Sequence, residues 1–131
     1  MLKKSKKWIG YDFNYGHYEK PLREGGCTSE TDEMRQFFRD FKSDLKGALK
    51  NLDMKVYQMK SNYYDVTVVL SNEDETKFVY LSLGDMRTNP RWNERILIRT
   101  MKHSTDWTGG MNNWTSSDEL ISDIQRLVSR M

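Results

Sequence analysis

Met34-Arg-Gln-Phe-Phe-Arg-Asp-Phe41 and Tyr64-Asp-Val-Thr-Val-Val-Leu70 obey different periods, and the switch between them sets the architecture. In the first, Met34, Phe37, Phe38 and Phe41 open a series that continues through Leu45, Ala48, Leu49 and Leu52 at steps of three and four, the spacing of one buried helical stripe. In the second, Tyr64, Val66, Val68 and Leu70 alternate with Asp65 and Thr67, the two-residue period of a strand with one wet face. Ser29, Glu30, Asp32 and Glu33 place a capping hydroxyl and acids at the positive end of the helix dipole, so the helix is predicted from Ser29.

Working outward, Val56 and the polar break at Lys60, Ser61 and Asn62 predict a first strand that forms a hairpin with the second. An acidic turn, Asn72-Glu-Asp-Glu-Thr76, leads into Lys77-Phe-Val-Tyr-Leu-Ser-Leu83, and Arg95-Ile-Leu-Ile-Arg-Thr100 supplies a fourth strand, all rich in β-favouring residues. Ser116-Ser-Asp-Glu119 has the form of a capping box before a last helix with the stripe Leu120, Ile121, Ile124, Leu127 and Val128. The expected fold is therefore α+β: a two-layer domain over residues 29–131 in the order αββββα, with two helices on one face of a four-stranded antiparallel sheet. Residues 1–28, with Gly10, Gly16, Pro21, Gly25 and Gly26 among charged and aromatic residues, follow neither period and are expected to be an irregular arm whose rings partly pack on the domain.

The 131 residues make one domain, and 21 Lys plus Arg against 19 Asp plus Glu leave only +2, so electrostatic function must be local. No run approaches the roughly 18 apolar residues of a membrane helix, and the basic start is followed by Trp8-Ile-Gly-Tyr11 instead of an apolar signal core; the expectation is a cytoplasmic protein without membrane contact. The single cysteine, Cys27, excludes an internal disulfide and a cysteine-built zinc site. Two histidines far apart and scattered carboxylates have none of the usual ligand spacings, and no glycine-rich phosphate loop is present, so neither a metal nor a cofactor is expected.

Three kinds of function fit what remains. His103 and Asp106, three apart in a Trp/Gly loop, are a candidate general-base pair for a small nuclease, with His17 or Arg99 as companions, but no motif surrounds them. Arg87, Arg91, Arg95, Arg99 and Lys102, opposed within that span only by Glu94 and joined by Trp92, Trp107 and Trp114, combine phosphate-binding guanidinium with rings that stack on bases, as in single-strand binders. Lys3, Lys4, Lys6 and Lys7 with Trp8 form a second basic, ring-bearing segment. The same long loops suit a protein interface, with Glu73, Asp74 and Glu75 as a patch of opposite sign. Alternatively, Arg95 and Arg99 are merely the wet side of a strand whose inward residues are Ile96 and Ile98, and the tryptophans pin loops to the sheet.

Ile96-Leu-Ile-Arg-Thr100, Lys102-His103, Asp106-Trp-Thr-Gly-Gly110 and Asn112-Asn-Trp114 resemble small uncharacterised proteins carried on plasmids, prophages and integrative elements of Gram-positive bacteria. The resemblance covers about the C-terminal half. It implies a setting in which anti-defence factors are common, among them anti-CRISPR proteins that bind Cas9, as are accessory DNA-handling proteins. A +2 chain with a basic loop region is unlike the strongly acidic inhibitors that imitate DNA. The expectation is thus a non-enzymatic binding protein that blocks a nucleic-acid-handling defence enzyme through Arg87 to Lys102, Trp107 and Trp114, with direct single-stranded DNA or RNA binding as the alternative.

Overall fold

The computed structural model describes residues 2–13, 31–62, 65–106 and 108–131. After a short N-terminal 3-10 turn, Ser5–Trp8, come α1 (Asp32–Leu49), β1 (Met54–Asn62), β2 (Asp65–Asn72), β3 (Phe78–Asp85), β4 (Ile96–Met101), β5 (Asn112–Thr115) and α2 (Leu120–Ser129). The strands form one antiparallel sheet in the order β1-β2-β3-β4-β5, a meander with short links between the first three strands and long loops on either side of β4. The α+β class holds, but the sheet has five strands instead of four. The fifth, Asn112-Asn-Trp-Thr115, is too short and too polar to show an alternating period.

Both helices pack on one face of the sheet. Met34, Phe37, Phe41, Leu45 and Leu49 of α1 and Leu120, Ile124 and Leu127 of α2 share a core with Val66, Val68, Leu70, Val79, Leu81, Leu83, Ile96 and Ile98. α1 is capped by Thr31, whose hydroxyl accepts from the Met34 amide at 3.2 Å, and begins at Asp32; the expected start, Ser29, lies outside the described residues. α2 begins at Leu120 without a side-chain cap; the Ser116–Glu119 box does not form, and the hydroxyl of Thr115 instead donates to Asp123.

Residues 2–13 are packed against α1. Phe13 is fully buried, Trp8 lies 5.7 Å from it ring to ring, and Leu2 and Tyr11 pad the same core. Two carboxylates of α1, Asp40 and Asp44, both 6% exposed, hold the turn in place. Asp44 accepts from the Lys4 and Ser5 amides at 3.0 and 2.8 Å and from the Ser5 hydroxyl at 2.6 Å. Asp40 accepts from the Trp8 indole N–H and the Gln36 amide at 2.8 and 2.9 Å and pairs with Lys7 at 3.4 Å. Burial alone would raise both acids; the hydrogen bonds from Ser5 and Lys4, and from Trp8, Gln36 and Lys7, outweigh it and hold both below the ordinary carboxylate range.

Candidate binding face

The face of the sheet away from the helices carries no helix among the described residues, and strand register lays it out in rows. Trp114, Leu97, Ser82, Thr67 and Lys60 form one row; Asn112, Arg99, Tyr80, Val69 and Gln58 form the next; Met101, Phe78, Ser71 and Lys55 form a third. Residues paired across strands point the same way, so these side chains share the surface. Its centre is dry: Val69, Phe78 and Met101 are buried, with Tyr80 against them. The rings of Tyr57 and His103 lie 5.4 and 5.1 Å from Phe78 and shield it.

At the β4–β5 end the surface changes character. Trp114 is 53% exposed, and the Arg95 guanidinium lies 4.1 Å above its ring. One row on, Arg99 donates to the Asn112 side-chain carbonyl at 3.1 Å, and Lys102 is exposed just past β4. Gly110 lies so close to β4 that an added Cβ would run into the Thr100 carbonyl and the Arg99 side chain, which brings the loop back to start β5. Arg95, Arg99 and Trp114 are thus gathered by the pleat of β4 and the return of β5, and Lys102 follows past the end of β4, beside Gly109.

The rest of the expected contact set is placed differently. Trp92 must be removed from it: the ring is fully buried among Phe37 and Phe41, at 4.9 and 5.7 Å, and its N–H donates to the Trp8 carbonyl at 3.3 Å. The Gly10 amide donates to the Pro90 carbonyl at 2.8 Å, so the β3–β4 loop closes against the N-terminal segment and takes Trp92 inward. Trp8 is likewise a packing residue, half-buried and tied to Asp40. Arg87 is clamped on Asp85 by two side-chain bonds, 3.1 and 2.8 Å, and Arg91 pairs with Glu94 at 3.7 Å. The Arg87 guanidinium holds Asp85 below the usual carboxylate range, whereas Asp65, opposite on β2, is raised by burial and by the Asp85 charge. Lys3, Lys4, Lys6 and Lys7 are exposed, on the helix side of the molecule and not on the open sheet face. Trp107, His17 and Cys27 lie outside the described residues.

His103 and Asp106 close a turn. Their backbones form a bridge, the Asp106 carboxylate accepts from the Thr108 amide at 3.0 Å, and the His103 ring meets Ser104 at 3.1 Å and Phe78. Bonding to Thr108 holds Asp106 below its ordinary range. Of the acidic turn, Glu75 is spent on Lys55 at 3.0 Å. Among the described residues no group of three or more His, Cys, Asp or Glu could hold a metal, and no helix is long and apolar enough to cross a membrane. Asn112, Tyr57 and Tyr80 belong to the open face and were not singled out; the alternation of β3 could have found Tyr80, but Asn112 needed β5.

Comparison with protein-family models, with curated proteins and with solved structures finds no match to this chain.

Proposed function

We propose that this chain is a non-enzymatic binding protein of a mobile genetic element that acts on a nucleic-acid-handling defence enzyme, such as Cas9, by direct contact through Arg95, Arg99, Lys102 and Trp114. The observation that carries this reading is the exposed Trp114 under the Arg95 guanidinium, on a sheet face that no helix covers among the described residues. Trp and Arg dominate the energetics of protein interfaces, and a ring already stacked by an arginine is preorganised for a partner. The family setting rests on the resemblance of residues 96–114 alone.

A second reading, direct binding of single-stranded DNA or RNA on the same face, draws support from the open antiparallel sheet with Tyr57, Tyr80 and Trp114 among cations. One experiment separates the two. Purified protein is offered labelled single strands at low and physiological salt, and separately immobilised Cas9. Capture by Cas9 that Trp114→Ala abolishes, with unchanged circular dichroism, supports the first reading. Salt-steep strand binding that disappears in the same variant supports the second, and neither result in either assay overturns both.

A further inference from the structure

The helix side of the molecule carries a second charged surface. Between residues 34 and 52 the acids are Asp40 and Asp44, and both are turned inward to hold the N-terminal turn. Every exposed charge on that stretch is therefore positive, and of these cations Arg35 pairs with Asp32 of the first turn at 3.3 Å. Arg35, Arg39, Lys42, Lys46 and Lys50 follow at steps of four, three, four and four, which puts them in one row along the solvent side of α1 and its short 3-10 extension; all are exposed except Lys42, which is half-buried. At about 1.5 Å per residue the row is about 22 Å long. Across the helix from it, the same two carboxylates hold Lys4 by its amide and Lys7 by its ammonium, and Lys3 and Lys6 are exposed beside them. Positive charge is thus gathered along α1 and the N-terminal turn, while α2, on the same side of the sheet, brings the acids Glu119 and Asp123.

We infer that this surface is a docking site for the phosphate backbone of double-stranded nucleic acid, separate from the open sheet face. Charge complementarity is the first argument: a duplex strand offers a phosphate about every 3.4 Å along the axis, so the row spans about six of them. What the surface lacks is the second. The exposed large apolar side chains of the described residues are Ile9, Tyr57, Met111, Trp114 and Met131, and none of them belongs to α1. Phe38, which lines a small groove with Arg35 and Arg39, is half-buried. The row therefore has no ring to stack on unpaired bases, no wedge to enter a lipid leaflet and no apolar anchor of the kind that drives protein interfaces. Affinity that comes from charge alone, with no base contacts, is the backbone mode of duplex binding.

The test is binding of the full chain to a short labelled DNA duplex of mixed sequence as salt is raised, for the wild type, for Lys42→Gln/Lys46→Gln/Lys50→Gln and for Trp114→Ala. Glutamine keeps helix propensity, and circular dichroism and thermal melting check the fold. The wild type is expected to bind at low salt, the triple variant to bind about tenfold more weakly or worse, and its plot of log affinity against log salt to be shallower by about 2 to 3, near 0.9 for each phosphate no longer neutralised. Trp114→Ala is expected to leave duplex binding unchanged, so failure of the sheet-face proposal and failure of this one are read separately. Absence of duplex binding at low salt, equal binding by the triple variant, or charge-dependent binding to phosphatidylserine vesicles without binding to duplex would each overturn the inference.

Discussion

The β3–β4 loop and the β4–β5 edge look alike in sequence, each joining arginines to a tryptophan, yet the fold uses them in opposite ways. In the loop, Trp92 is fully buried with its N–H satisfied, and Arg87 and Arg91 face Asp85 and Glu94. At the edge, Trp114 is open to solvent, stacked by Arg95, with Arg99 held by a neutral amide. The difference lies in what each segment can close against. Pro90 and Trp92 meet the N-terminal segment at Gly10 and Trp8, whereas β5 is the outer strand of the sheet and has no neighbouring strand on one side among the described residues. Basic and aromatic composition thus locates a surface only after the partners of each ring are known.

The comparison breaks most visibly at the two tryptophans. Trp92→Ala is expected to cost about 3–5 kcal/mol in urea unfolding, since it empties a site walled by Phe37 and Phe41. A cost near that of an exposed ring would place Trp92 outside the core.

Next in size is the clasp between α1 and the N-terminal turn. Asp44→Ala should cost about 2–3 kcal/mol, because charged hydrogen bonds are worth about 1.5–3 kcal/mol each and the Ser5 and Lys4 donors are left unpaired. Hydrogen exchange at the Ser5 amide reads it directly, and fast exchange only in the variant is the expected result. The same clasp sets an acid response. Asp40 and Asp44 have folded-state values below their ordinary ones, so their contribution to stability is complete above the ordinary carboxylate range and is lost as pH falls through the lowered values. The Trp8 indole N–H resonance, bonded to Asp40, should shift in that acid window and stay constant at neutral pH.

Gly110→Ala is expected to cost about 1–3 kcal/mol, as the new methyl meets the Thr100 carbonyl and Arg99 and pushes the start of β5 off β4. Loss of exchange protection confined to residues 112–115 would be its signature. Smallest is Trp114→Ala, at under about 1 kcal/mol, the worth of an exposed cation–π contact. A large loss of stability there would return Trp114 to a structural role and remove the proposed binding face.

Several of these features are legible without coordinates. The apolar spacing from Met34 to Leu52 and the alternation through Val66, Val68 and Leu70 determine a helix followed by strands, because one buried face imposes its period on the residues that make it. That Arg95 and Arg99 share the wet side of β4 follows from the same alternation with Ile96 and Ile98. The row from Arg35 to Lys50 is equally a matter of spacing.

Contacts between distant segments are not carried by any local period, and the tertiary structure alone decided them. It made Asn112-Asn-Trp-Thr115 a strand, since four residues, three of them polar, become one only when β4 offers a ladder. It buried Trp92 and left Trp114 exposed, through a loop that closes on residues 8–10 in one case and a sheet edge in the other. It also turned Asp40 and Asp44 inward to the backbone of residues 4 and 5 and to Trp8, which leaves the solvent side of α1 beyond its first turn to cations. In the sequence those two acids cancel the neighbouring charges; in the fold they are occupied elsewhere, because a buried carboxylate must be satisfied by whatever donors the chain brings to it.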